Sequence, residues 1–163
     1  HNTDVAGFEL GLRHSKIDVL HKSILILGAG GVVPSIIYSL LSMGCKKIFI
    51  SNRTIGKAEN IKKKFEEVEV LKWKEIPDFD IVINATSVGL KGESLDLDFN
   101  TKDKVFYDVI YNPKETQFLK RARENGNRIE NGKLMFIYQA NQSFSIWNNV
   151  IPKIDEEALK ILE

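Results

Sequence analysis

Cys45 is the only cysteine among 163 residues. An intramolecular disulfide is therefore excluded, and a reducing compartment such as the cytoplasm is expected. Cys45 sits between Gly44 and Lys46, just ahead of an apolar run, and reads as a small packing residue rather than a catalytic thiol. Charge of neither sign is in excess: 23 basic and 22 acidic residues leave a net charge of +1. Bulk attraction to nucleic acid or to an anionic membrane surface has no basis, and neither is expected as a partner. An anionic small molecule would have to be held by a few local groups. No apolar run approaches the roughly 20 residues of a membrane span, and the first residues lack the charged-then-apolar pattern of a secretory leader. No repeat and no low-complexity segment occurs, and no metal site is expected. The first residue is histidine, not methionine, so a processed chain or a piece of a longer protein is expected.

One ordinary domain of this length buries about two thirds of its unfolded surface. Short apolar runs alternate with amphipathic segments along it. Strands are predicted at 24–27, 47–51, 68–71, 80–84, 105–109 and 128–131. Helices are predicted after the first strand (Ile36, Ile37, Leu40 and Leu41, ending at Gly44) and after Thr54 (Ala58, Ile61, Phe65). Further helices are predicted over 115–125, 134–148 and 155–162. This alternation predicts an α/β fold: a doubly wound, mostly parallel sheet of about six strands in three layers. Ligands of such sheets bind beyond the carboxyl ends of the strands.

The first such end reads ILILGAGGVVPS, residues 24–35. Gly28 permits a tight turn. Gly30 removes a Cβ where a pyrophosphate would approach, and the following helix offers unpaired N–H groups and a partial positive charge. Pro34 fits a first helical turn. Val33 stands where a third glycine is usual and should hold helix and strand slightly apart. A plain strand-to-helix turn without ligand is the alternative. The second strand ends Ser51-Asn52-Arg53-Thr54. An NAD-binding fold usually places a carboxylate here for the ribose 2′-hydroxyl. An arginine instead can grip a 2′-phosphate with paired hydrogen bonds, so NADP is the expected cofactor. Solvated surface positions are the alternative for Arg53 and Lys57.

Six segments, in order, resemble the shikimate/quinate dehydrogenase family: NTDVAGF (2–8), GAGGVVPS (28–35), NRTIGK (52–57), NATSVGL (84–90), DVIYNPKET (108–116) and GKLMFIYQANQSFSIW (132–147). The resemblance implies the Rossmann-like NADP-binding lobe of a two-lobed oxidoreductase that reversibly reduces 3-dehydroshikimate to shikimate. Residues 1–163 would be one cofactor domain. Residues 1–14 would connect the lobes, and 133–163 would pack back toward a substrate lobe. The family's catalytic pair is a lysine of the other lobe and an aspartate matched by Asp4, so this chain alone is expected to be inactive. A homodimer is expected of the intact protein.

By the same resemblance, Gly28, Ala29, Gly30, Gly31, Val32, Asn52, Arg53, Thr54 and Lys57 contact the nucleotide. Thr86 and Ser87 lie along its adenosine half, and Val109, Gly132 and Met135 near the nicotinamide. Gly132 would let the backbone approach that ring. Asp4, Tyr111 and Gln139 would contact the substrate. Each has a plainer reading. Asp4 caps a helix over 5–12, Tyr111 packs half-buried at the sheet edge beside the Pro113 turn, and Met135 is core. Thr86 closes an ordinary strand-end turn. A buried Gln139 amide needs partners, which substrate hydroxyls would supply. Aromatic residues 136, 138, 144 and 147 read as core and lobe packing, not base stacking. A quinate/shikimate dehydrogenase of broader cofactor use and a noncatalytic NADP-binding module remain the alternative functions.

Overall fold

A computed structural model describes residues 2–160. The elements run in the order α1 (Thr3–His14), β1 (Ser23–Leu27), α2 (Val33–Ser42), β2 (Lys47–Ser51), α3 (Ile55–Lys62), β3 (Val68–Leu71), β4 (Ile81–Asn84), β5 (Val105–Asp108), α4 (Gln117–Glu124), β6 (Arg128–Glu130), α5 (Lys133–Asn148) and α6 (Glu156–Lys160). The strands lie in the order β3-β2-β1-β4-β5-β6, and every neighbouring pair is parallel. The expected doubly wound α/β sheet is what the chain forms. The last helix is described as far as Lys160; Leu162, its expected end, lies outside the described residues.

The strand sequences explain the layering. Ile24 and Ile26 of β1 point into one core with Phe8, Ile36, Leu40 and Ile61 from α1, α2 and α3. Leu25 and Leu27 point into the other, with Phe106, Phe118 and Leu119. Successive side chains of a strand face opposite ways, so a strand buried on both faces must be apolar at every position. Helices α1, α2, α3 and α5 thus cover one face. The second face differs from the alternating pattern expected. The connections β3 to β4 and β4 to β5 contain no helix. Helix α4 and irregular chain cover this face, through an edge-to-face cluster of Phe79, Phe99, Phe106 and Phe118 with centroids 5.4–6.1 Å apart. Aromatic bulk replaces helical packing there.

Helix α1 starts earlier than expected. Asn2, not Asp4, is its cap: the Asn2 side chain accepts the Asp4 N–H at 3.1 Å. Asn2 also donates to Ser35 Oγ at 2.9 Å, tying this helix start to that of α2. Asp4 falls in the first turn, where a carboxylate favours the helix dipole. Pro34 lies in the first turn of α2, as anticipated. Val33 is fully buried in the core beneath that turn.

Two glycines one helical turn apart let α1 and α5 touch. A Cβ on Gly7 would stand 2.7 Å from Met135 O and 2.8 Å from Gln139 Cβ; one on Gly11 would stand 3.1 Å from Met135 N. Met135 is the buried residue of α5. Of the α5 aromatics expected in core and lobe packing, Phe136, Phe144 and Trp147 are 40, 48 and 81 % exposed and so lie outside this core, whereas Tyr138 is half-buried, its hydroxyl 2.9 Å from His14 Nδ1. Helix α5 packs its Met135 side on α1, and none of the described residues buries its outer side.

Gly7→Ala should therefore lower unfolding free energy by about 1–3 kcal/mol, the usual cost of overpacking. Gly56→Ala in α3, where a Cβ meets nothing within 4 Å, should leave it unchanged or slightly raised. Urea denaturation of both variants measures the difference.

Candidate nucleotide and substrate clefts

The predicted site residues lie near the carboxyl edge of the sheet, and all but Gly31 and Thr54 line one of two hollows there. Leu27, Ser51, Asn84 and Asp108 end their strands side by side in the ladder register. Beyond β1 the chain turns at Gly28, with φ +109° and its N–H bonded to Ser51 O at 2.8 Å. A Cβ here would lie 2.8 Å from Ala85 O, so conformation and space both require glycine. At Gly30 a Cβ would meet only Ala85 O, at 3.9 Å; at Gly31 it would meet nothing. None of the described residues accepts the backbone N–H of Gly30, Gly31 or Val32. The first turn of α2 carries no acidic residue. This is an anion cradle in both shape and charge.

The cradle opens into a cleft of about 520 Å³, lined by Gly28, Ala29, Gly30, Asn52, Arg53, Lys57, Thr86 and Ser87. Two exposed cations line it, Arg53 just beyond the end of β2 and Lys57 in the first turn of α3. Asn52 donates to Thr54 O at 2.8 Å, which shapes the entry to α3. Thr54 occupies the cap position of α3 without a side-chain cap bond and stands outside the cleft wall, as does Gly31. Thr86 holds its loop shut: its hydroxyl donates to Asn84 Oδ1 at 2.7 Å and accepts the Val88 N–H at 3.1 Å. The plain reading of Thr86 is thus realised, on a residue that also lines the cleft. Trp73, Ser94 and Asp96 complete the wall; Asp96 pairs with Lys74 at 2.5 Å. Sequence reading missed these three because they sit in connections without periodicity.

A second pocket, about 210 Å³, joins Asp4, Val32, Val109, Tyr111, Gly132, Met135, Phe136 and Gln139. Seven of these were singled out from sequence, over a span of more than 130 positions; Phe136 was missed as a wall residue. It stacks on Tyr111 with centroids 4.6 Å apart and planes 26° from parallel. Tyr111 is half-buried and precedes the cis Asn112–Pro113 peptide. Two expectations change. Gln139 already has a protein partner, donating to Thr3 Oγ1 at 3.3 Å, because α1 packs so closely on α5. A Cβ on Gly132 would fall 2.0 Å from Val109 O, so this glycine is required by the end of β5 itself.

Between the hollows lies a carboxylate that sequence reading passed over. Asp108 is fully buried. Its Oδ1 accepts from Asn84 Nδ2 at 3.1 Å and from the Ile110 N–H at 3.0 Å; its Oδ2 accepts from Thr116 Oγ1 at 2.6 Å. Burial pushes this carboxyl up to about 6, against the three hydrogen bonds, which favour the ion. Burial also pushes the Cys45 thiol up, the opposite of an activated nucleophile. Among the described residues no cluster of metal-ligating side chains occurs, and no helix is long and apolar enough to cross a membrane.

The chain matches the family model of shikimate / quinate 5-dehydrogenases over residues 11–91. It is 51 % identical over 165 residues to the shikimate dehydrogenase (NADP(+)) of Pelagibacter ubique, covering 99 % of this chain and 62 % of that protein. Its fold matches the shikimate 5-dehydrogenase of Thermus thermophilus solved with NADP(H) and shikimate, with a TM-score of 0.86 and 26 % identity over 99 % of this chain and 63 % of that one. It equally matches the quinate dehydrogenase of Corynebacterium glutamicum solved with NAD: TM-score 0.87, 28 % identity, 98 % and 61 % covered. The chain spans about three fifths of the length of the curated relatives it matches.

The buried Asp108 gives stability an unusual pH dependence. Its folded-state value lies above its ordinary 3.8, so between about pH 4 and 6 the folded chain holds more proton than the unfolded one. Stability from this group is therefore greatest below pH 4 and falls as pH rises to 6, by about 3 kcal/mol. Tyr107 stays neutral throughout, because burial and the neighbouring Glu130 and Asp108 carboxylates push its phenol up. The wild-type minus Asp108→Asn difference in unfolding free energy, measured from pH 4 to 7, should show this decline.

Proposed function

Because this chain belongs to the shikimate/quinate dehydrogenase family, we propose that it forms the nucleotide-binding part of an NADP-dependent enzyme that reversibly reduces 3-dehydroshikimate to shikimate. The observation that carries this reading is the junction of the two hollows. Val32, next to the anion cradle, also lines the pocket of Asp4, Tyr111 and Gln139. A nucleotide whose pyrophosphate rests on the glycine turn has room to extend one end toward Arg53 and the other toward that pocket.

The residues present fit the dinucleotide. The open positions at Gly30 and Gly31 admit a phosphate, the unaccepted N–H groups complement its charge, and Arg53 and Lys57 complement a ribose 2′-phosphate. When bound, the cofactor supplies the hydride. Asn52, Thr86 and Ser87 shape the adenosine side, with Thr54 behind them at the start of α3; Val109, Gly132 and Met135 bound the nicotinamide side. In the second pocket Tyr111 and Gln139 offer a hydroxyl and an amide to substrate oxygens. Asp4 acts at the proton of the reacting hydroxyl, together with the lysine that the resemblance assigns to the other lobe. The outer face of α5, with Phe144 and Trp147, and the 87 % exposed Ile151 just beyond the helix turn toward that lobe. A homodimer of the intact protein and a cytoplasmic location belong to the same reading, the latter supported by the lone cysteine.

A relative binds NAD on the same fold, so side chains rather than architecture must choose the cofactor. Charged hydrogen bonds to a 2′-phosphate contribute about 1.5–3 kcal/mol, or roughly 10- to 150-fold in affinity. Calorimetric titration of this chain should show NADPH bound tighter than NADH by such a factor, and Arg53→Ala should remove most of the preference. Equal affinities in the unmodified chain would overturn the NADP assignment. Shikimate oxidation by this chain alone should be undetectable. In the longer enzyme, Asp4→Asn should lower kcat at least 100-fold, the usual range for lost acid–base assistance, while leaving NADPH affinity near wild type.

A further inference from the structure

The Asp108 carboxylate touches neither hollow, yet it bonds to the segments that line both. Asn84, which donates to Oδ1, also accepts the Thr86 N–H and hydroxyl and donates to Val88 O at 3.2 Å. This one amide therefore sets the loop that presents Thr86 and Ser87 to the nucleotide cleft. The Ile110 N–H on the same Oδ1 fixes the backbone between Val109 and Tyr111, which line the second pocket. On Oδ2, Thr116 anchors the start of α4 and accepts the Leu119 N–H at 3.4 Å.

All three groups around Asp108 are donors. Only an ionised carboxylate accepts from every one of them without rearrangement. A protonated acid, or an asparagine, presents a hydrogen of its own on the Oδ2 side, and the Thr116 hydroxyl must turn from donor to acceptor to receive it. Burial works against the ion. The site thus keeps a charge whose removal would relieve the fold but disturb the loops, which is the signature of a group retained for geometry.

We infer that Asp108 is a positioning residue: its carboxylate holds the Thr86–Ser87 loop and the Val109–Tyr111 segment in mutual register, and nucleotide affinity depends on that hold. The inference rests on the nucleotide reading above. It gives stability and binding opposite signs. Neutralising Asp108 removes the burial cost, while the cleft loses its template.

The test uses this chain with Asp108→Asn, Thr116→Val and Thr116→Ser. NADPH affinity is read by calorimetry, melting by circular dichroism and loop order by amide hydrogen exchange. At pH 7, Asp108→Asn should melt at or above the wild-type temperature, yet bind NADPH roughly ten-fold more weakly, the scale of one lost charged hydrogen bond. Exchange should rise at 84–88 and 109–111 but not in β1 or β2. Thr116 lines neither hollow; Thr116→Val removes one donor and should weaken binding in the same direction, whereas Thr116→Ser keeps the donor and should bind as wild type. If Asp108→Asn does not fold, the Thr116 pair decides. Wild-type affinity in Asp108→Asn and Thr116→Val overturns the inference. So does affinity that falls only in step with melting temperature. An unmodified chain that binds neither NADPH nor NADH overturns the nucleotide reading and this inference with it. Wild-type binding beside unchanged variants overturns the inference alone.

Discussion

Every strand of this sheet runs in the same direction, and that constraint places the chemistry. Parallel strands all finish on one edge, and each must hand the chain to a crossover there. The order reverses between β1 and β4, whose crossovers depart to opposite faces. The cleft opens above their ends, over the point where Gly28 and Ala85 pack so closely that a Cβ on Gly28 would meet Ala85 O. The glycine turn, the Arg53 segment, the Thr86 loop and Tyr111 are separate in sequence. They become neighbours because β1, β2, β4 and β5 end in register.

The second hollow depends on a different contact. Asp4 is near the start of the chain and Gln139 near its end. Gly7 and Gly11 let α1 lie against α5 closely enough that backbone meets backbone at Met135. Phe8, one position on, turns into the sheet and packs edge-to-face on Tyr107 with centroids 5.4 Å apart. One short helix therefore fastens α5 with one side and the sheet with another. Its first turn presents Asp4 beside Tyr111 and Gln139. A side chain at Gly7 would press on Gln139 and Met135, and one at Gly11 on Met135, so α1 would have to move off α5 and carry Asp4 away from Gln139.

The polar groups at the strand ends complete the arrangement. Ser51, Asn84, Asp108 and Thr116 are buried, and each has hydrogen-bond partners, as buried polar groups must. Ser51, Asn84 and Asp108 stand where the sheet ladder stops, and Thr116 stands at the start of α4, places where backbone groups would otherwise lack partners. Asn84 and Asp108 do for the loops what the ladder does for the strands.

Much of this was legible from residues. Continuous apolar runs marked strands buried on both faces, and Gly28-x-Gly30 with Pro34 marked the turn into α2. The missing carboxylate at Ser51-Asn52-Arg53 marked the charge of the cleft. These are local signals, each set by a few neighbouring side chains. Asp4, Tyr111 and Gln139 could be paired only through the family resemblance, since nothing local joins them. Asp108 escaped because its partners lie 24 residues before and eight after, so neither periodicity nor spacing exposes it. Trp73, Asp96 and two of the covering phenylalanines, Phe79 and Phe99, lie in connections that follow no period. The sequence by itself determined the strands, the turn and the charge of the nucleotide cleft, because those follow from local sterics and hydrophobic pattern. That α1 closes on α5, that Asn2 is tied to Ser35 at the start of α2, and that a buried carboxylate bonds to segments lining both hollows came from the fold alone, because each is a contact between distant segments.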